Sequence, residues 1–174
     1  QWYQRAQAWE PGLGDPWYYV GQLKEAQGEW LEALVAYERA ASEARLRAVG
    51  RSSLFYSMGE IYHLRLEPRQ PEKAREMYTI ALETGDFASA SEEAWTHARL
   101  GQVYYALGEE ALRAENEMLT ALRLRPNDKW IYVVLGDLYQ AEGRLTEAVD
   151  AYESALRLLP DFDAALKRLE ALDN

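Results

Sequence analysis

The sequence predicts an all-α fold built from repeated antiparallel helix pairs, and three observations lead there. A small–x3–bulky–x2–small triplet occurs four times, as Ala33/Tyr37/Ala40, Ala74/Tyr78/Ala81, Ala114/Met118/Ala121 and Ala148/Tyr152/Ala155. Each triplet is preceded by a segment with a glycine at a matched place: Gly21, Gly59, Gly101 and Gly136. Turn and cap signals separate these segments, and no convincing strand pattern lies between them.

Spacings of four and three put each triplet on one face of a helix. Its two alanines let another helix approach closely, and the bulky residue fills the gap between them. The preceding helix has its own signature: Trp17–x2–Val20–Gly21, Phe55–x2–Met58–Gly59–x2–Tyr62, His97–x2–Leu100–Gly101–x2–Tyr104 and Tyr132–x2–Leu135–Gly136–x2–Tyr139. A mid-helix glycine costs about 1 kcal/mol against alanine. Four at matched places require a packing reason, and close contact with the partner helix is the simplest. Asp15-Pro16, Gln70-Pro71 and Asn127-Asp128 read as helix starts of the cap or first-turn proline kind. The acidic pair Glu109-Glu110 reads as another start, where its charge suits the helix dipole. Gly28, Gly50, Gly85, Gly108 and Gly143 read as ends or turns. About ten helices are expected.

This paired pattern resembles the tetratricopeptide repeat, most closely from Tyr132 to Pro160: a bulky residue, Leu-Gly and Tyr, then Ala, an aromatic, Ala and a closing Pro. The resemblance covers nearly the whole chain. It implies a right-handed α-solenoid of antiparallel helix pairs over residues 1–174, with about four repeats, an N-terminal half-repeat and a C-terminal capping helix. Tyr3 to Tyr37 and Ala6 to Ala40 are each 34 residues, so QWYQRAQAWEP reads as the second helix of a repeat whose first helix is missing. The chain is accordingly expected to be a fragment of a longer protein. Trp2, Tyr3, Ala6 and Trp9 would then leave an apolar face prone to weak self-association. At the other end, DFDAALKRLEALDN has an aspartate cap. Leu166 and Leu169 stand at the packing spacing, with Glu170 where the glycine would be, as suits a solvated cap.

The glycine intervals are 38, 42 and 35 residues, exceeding a 34-residue period by 4, 8 and 1. The first excess is expected to lengthen the helix through ASEARLRAVG by about one turn. The second is expected partly in LEPRQPE and partly between Tyr78 and Trp95, the third near GEEALRA.

Composition narrows the function. The 174 residues carry 29 Asp plus Glu against 19 Lys plus Arg, a formal charge of -10. A surface of that sign repels phosphate backbones and anionic membrane faces, so neither nucleic acid nor membrane contact by this segment is expected. No cysteine is present, which excludes disulfides and thiolate metal sites. Fifteen Arg against four Lys point to a GC-rich, bacterial source.

Catalysis is not expected. Glu60–x2–His63 is a carboxylate–histidine pair of the kind found in di-iron bundles, but such a site needs a second pair and two further inward carboxylates. Glu93–x3–His97 has different spacing, and His97 lies on the packing stripe. No phosphate loop or nucleophile–base set appears, so no metal or other cofactor is expected.

Binding remains. If each glycine faces the second helix, positions −6, −3, +1 and +4 from it form a separate stripe. These are Asp15, Tyr18, Gln22 and Glu25; Ser53, Tyr56, Glu60 and His63; Trp95, Ala98, Gln102 and Tyr105; and Trp130, Val133, Asp137 and Gln140. The resemblance implies that this stripe lines a concave groove. The sixteen residues include five aromatics, four acids and no Lys or Arg. The expected ligand is a peptide segment or partner protein with apolar anchors and some basic character. The competing expectation is that Trp95 and Trp130 pack against neighbouring repeats and that the acids are a solvated face. Some members of the family clamp a chaperone's C-terminal carboxylate with Lys, Arg and Asn on this stripe. Here those places hold Tyr18, Gln22, Tyr56, Glu60, Ala98 and Gln102, so that activity is not carried over. A non-catalytic arm of a larger enzyme such as a glycosyltransferase, or a purely structural assembly module, are the alternatives to an interaction module.

Overall fold

Three of the four matched glycines are seats for aromatic rings. The structure, a computed structural model, describes residues 12–43, 45–108 and 111–172. The half-repeat expected in QWYQRAQAWEP, with its self-associating face, and the Glu109-Glu110 start lie outside them. The described residues fall into two compact units, divided between Glu92 and Glu93.

In the first unit, α1 (Asp15–Ala26) pairs with α2 (Trp30–Ser42). Helix α3 (Arg51–Glu60) continues into a π-helical turn (Ile61–Arg65) and pairs with α4 (Pro71–Thr84). The second unit contains most of α5 (Ala90–Ala106), then α6 (Ala111–Leu124), α7 (Lys129–Ala141), α8 (Leu145–Leu158) and α9 (Asp163–Leu172). Among the described residues no strand forms; an isolated bridge joins Leu13 and Arg45.

A Cβ placed on Gly21, Gly59 or Gly136 would lie only 2.5, 2.6 and 2.7 Å from Cδ1 of Tyr37, Tyr78 and Tyr152. At Gly101 the neighbours are the Ala114 carbonyl oxygen at 2.7 Å and Met118 Cγ at 3.0 Å. All eight alanines of the triplets are fully buried, as are the three tyrosine rings. The glycines therefore trade helix propensity for ring burial. Gly136→Leu and Ala155→Leu overpack this contact and are each expected to cost on the order of 1–3 kcal/mol. Chemical denaturation reads the effect; unchanged midpoints in both variants would contradict the pairing.

The tyrosines of the first helices have a second regularity. Lys73, Arg113 and Arg144 lie over the rings of Tyr62, Tyr104 and Tyr139 at 5.2, 4.5 and 4.3 Å. Tyr139 also donates to Glu115 Oε1 at 2.8 Å, and Arg144 grips both oxygens of that carboxylate. Burial and the Glu115 hydrogen bond push the Tyr139 hydroxyl up to about 12.

Gly28, Gly85, Gly108 and Gly143 take the left-handed conformation that ends a helix, with φ between 69° and 76°. Pro71 opens α4, and Asp128 caps α7 by accepting from the Trp130 N–H at 3.1 Å. Gly50 differs from expectation: its φ is −65°, and it precedes α3 rather than ending a helix.

Three further expectations are corrected. The extra residues in ASEARLRAVG do not lengthen α2, which stops at Ser42. They form a loop whose amides at Arg47, Ala48 and Val49 converge on the Asp15 carboxylate. The extra length around residues 61–70 is partly inside the helix, as the π-turn, and not only in LEPRQPE. In α9 the buried contact is made by Ala165, with Phe162 just before the helix, while Leu166 stays 38% exposed.

Candidate functional site

Two of the core tyrosines reach past the glycine seats to the acids one residue further on. Tyr78 donates to Glu60 Oε1 at 3.0 Å. The Tyr152 hydroxyl lies 2.9 Å from both Asp137 Oδ1 and Gln140 Oε1. Tyr37 stands beside Glu25, and burial followed by that carboxylate drives its hydroxyl far above the usual phenol range. The Glu60 and Asp137 carboxylates of the expected stripe are thus set in place by the packing motif itself.

In the first unit, Gln22, Glu25, Tyr56 and Glu60 come together in a cleft of 440 Å³, joined by Ala26, Trp30, Ser57 and Arg65. The Arg65 guanidinium lies 5.4 Å over the Trp30 ring. Burial raises the Glu25 carboxyl above the usual range; the Tyr37 hydroxyl opposes this, and the neighbouring Glu60 charge adds to it.

Three predicted contact residues of this unit are not available to a ligand. Asp15 is 5% exposed, and its carboxylate is occupied by the three loop amides. Tyr18 is 8% exposed, with its ring 5.5 Å from Tyr37 and its hydroxyl accepting from Gln22 Nε2 at 3.1 Å. His63 is also 8% exposed and packs edge-on against Tyr78 at 6.2 Å. The π-turn explains His63: the wider turn changes the phase of the helix, turning His63 inward while Arg65 joins the cleft. Ser53, also on the stripe, is buried and donates to Glu92 Oε2 at 2.6 Å.

In the second unit, Trp95, Gln102, Trp130 and Asp137 line a cleft of 410 Å³ with Arg99, Val133, Val134 and Arg168. Beside it, Gln102, Tyr105, Met118, Val134, Asp137 and Leu138 line a recess of 240 Å³. Trp95 rests partly on the core of Ala94, Ala98, Ala121 and Ile131. Trp130 is 48% exposed, with its ring edge-on to Phe162 at 4.7 Å. Both tryptophans therefore pack within the repeats and also line the cleft. His97 pairs with Glu117, its Nδ1 2.6 Å from Oε2.

Sequence reasoning missed the cations. Arg168, on α9, donates from Nε to Asp137 Oδ1 and from a terminal nitrogen to Oδ2 at 2.8 Å. Arg99 lies 5.1 Å over the Trp95 ring and donates to Gln102 Oε1 at 3.0 Å. Arg99 could have been found, because it stands three residues before Gln102 on the same helix. Arg168 could not, because it comes from an element outside the repeat pattern.

No protein-family profile and no curated protein sequence matches the chain. Solved structures do. A chain of the APC/C hetero-tetramer Cut9–Hcn1 is similar over 97% of this chain and 31% of that one, with TM-score 0.79 and 18% identity. MamA is similar over 90% of this chain and 84% of its own, with TM-score 0.71 and 18% identity. The first TPR of Spaghetti (RPAP3), bound to the HSP90 peptide SRMEEVD, is similar over 70% of this chain and 90% of its own, with TM-score 0.59 and 20% identity. The fold is that of the tetratricopeptide repeat, an all-α helical-repeat architecture.

Proposed function

We propose that this chain is a non-catalytic protein–protein interaction module that holds a peptide segment of a partner, and that the first unit's cleft takes a basic side chain. The carrying observation is the cleft itself: two carboxylates, Glu25 and Glu60, and one guanidinium, Arg65, between the aromatic residues Trp30 and Tyr56. A Lys or Arg side chain entering there meets net negative charge and ring faces together. The peptide-bound TPR among the similar structures supports the reading that this fold can hold a peptide.

Selection of a displayed random-peptide library on the immobilised chain tests the reading, followed by calorimetry on the enriched peptides. Enrichment of Lys or Arg beside apolar residues, lost in a Glu25→Gln/Glu60→Gln variant, is expected. No enrichment, or equal binding to that variant, would overturn it and favour an assembly spacer.

The raised Glu25 carboxyl gives a second prediction. A group whose folded pKa is raised stabilises the fold below its unfolded pKa, and that contribution is lost as pH rises through the folded value. Ionised Glu25 is therefore strained at neutral pH, and a bound cation relieves it. Affinity for a basic peptide is expected to be full at neutral pH and to fall on acidification, beginning above the usual carboxylate range. Glu25→Gln should flatten that profile and raise the neutral-pH denaturation midpoint. Calorimetry across pH and urea melts check both; a steep profile that survives the substitution would exclude Glu25 as its source.

A further inference from the structure

Helix α6 carries an exposed stripe that lies outside the clefts described above. Leu112, Asn116, Leu119 and Arg123 follow one another at intervals of four, three and four residues, and Pro126 continues the series three residues on. Alternating steps of four and three keep side chains on one face and make the seam by which one helix packs along another. Leu112 is 62% exposed and Leu119 40%. Asn116, Leu119, Arg123 and Pro126 line a shallow groove of 670 Å³ with Thr120 and Leu122. Each of the other second helices carries an acid at the equivalent positions: Glu38 on α2, three glutamates on α4, and Asp150 and Glu153 on α8. The stripe on α6 has none.

Its charge comes from Arg123, which donates to Thr120 Oγ1 at 2.7 Å, while Thr120 in turn donates to the Asn116 carbonyl oxygen at 2.8 Å. That chain of bonds lays the guanidinium along the helix beside Leu119. Among the described residues Arg123 has no ion-pair partner. From this we infer that α6 docks one amphipathic helix of a partner protein, with leucine-type residues along its seam and a Glu or Asp facing Arg123. A helix is the matching shape, because steps of four and three present a continuous ridge only to another helix. Asn116 sets the register, as a polar residue within such a seam does, by favouring an amide or hydroxyl opposite it. The guanidinium fork pairs best with a planar carboxylate. A second copy fits less well. Two such stripes run side by side would set Arg123 against Arg123 in one direction and against Leu112 in the other, and each copy carries a net charge of -10. The inference goes beyond the reading of the first unit's cleft and shares no residue with it.

The probe is a displayed library of amphipathic helices about three heptads long, randomised along one face and selected on the whole chain. Enriched helices are expected to combine Leu or Ile at the seam with a Glu or Asp. Calorimetry on the best of them should show affinity lowered about tenfold or more by Leu119→Gln. Arg123→Glu should weaken it about as much, and changing the acid of the bound helix to Lys should restore affinity for that variant. Leu119 and Arg123 are both exposed, so neither change disturbs the core, and circular dichroism melts establish that each variant is folded. Glu25→Gln/Glu60→Gln should leave the helix bound as before. Enrichment of no helix, or helices that bind the Leu119→Gln variant as tightly as the parent, would overturn the inference and leave the first cleft's reading intact. A charge swap that restores nothing would overturn the acidic chemistry assigned to the partner. A dimer seen by light scattering and abolished by Leu119→Gln would show that a second copy covers the stripe, and would overturn the inference as well.

Discussion

Replacing Tyr152 with alanine is expected to remove about 3–5 kcal/mol of stability, the usual cost of emptying a large aromatic site in a packed core. The Tyr152 ring is fully buried and fills the space left by Gly136, with Ala148 and Ala155 on either side. None of these neighbours has a side chain long enough to collapse into the vacancy. Burial, followed by the Asp137 hydrogen bond, holds the Tyr152 hydroxyl well above the usual phenol range, so it stays a proton donor at all ordinary pH values. Tyr152→Phe separates the two contributions. It keeps the ring and should cost about 1.5–3 kcal/mol, the scale of a hydrogen bond to a charged group. Urea denaturation of both variants measures the difference. A loss below about 1 kcal/mol for Tyr152→Ala would mean the ring is not the keystone of this pair.

Asp15→Ala is the second large effect, expected at about 2–3 kcal/mol on the scale of hydrogen bonds to a charged group. Its carboxylate accepts from the Arg47, Ala48 and Val49 amides at 2.9, 2.7 and 3.1 Å, and this closes the loop between α2 and α3. Arg47 and Ala48 are exposed, so water recovers part of the loss and keeps the cost below that of a fully buried ion. The specific signature is local. Amide hydrogen exchange at residues 47–49 should accelerate in the variant more than exchange in the helices around Tyr37 or Tyr78. Uniform acceleration along the chain would place the role of Asp15 elsewhere.

The helix pairs were legible because the constraint on them is local and repeated. Gly136 and Tyr152 are each uninformative alone, but the same interval in Gly59 and Tyr78 makes a pattern that only close packing explains. Asp15 misled because the sequence shows a charge next to a proline and gives no sign that a loop of extra residues will fold back onto it. The same four residues read as a longer helix, since Ala, Glu, Arg and Leu all favour one. His63 misled for a different reason. The stripe was derived from a uniform helical rotation, and one π-turn breaks that assumption while leaving the upstream residues Tyr56 and Glu60 in phase. The cleft walls at Gln22, Glu25, Trp95 and Gln102 were found because they lie on regular helix. The charge balance was not, because Arg65 arrives through the irregular turn and Arg168 from the helix after the last repeat.

The tyrosines that lock the helix pairs have a use beyond stability. The rings of Tyr78 and Tyr152 are in the core, while their hydroxyls touch the carboxylates of Glu60 and Asp137 at the clefts. Interior and surface therefore share one side chain in each pair. Any partner that alters the charge at either carboxylate changes the electric field on a phenol that solvent cannot reach. Isotope-labelled tyrosine rings would report this as a shift in resonance frequency, separately for the two units and without an attached dye. The protein has, in effect, a built-in gauge of occupancy wired through its own core.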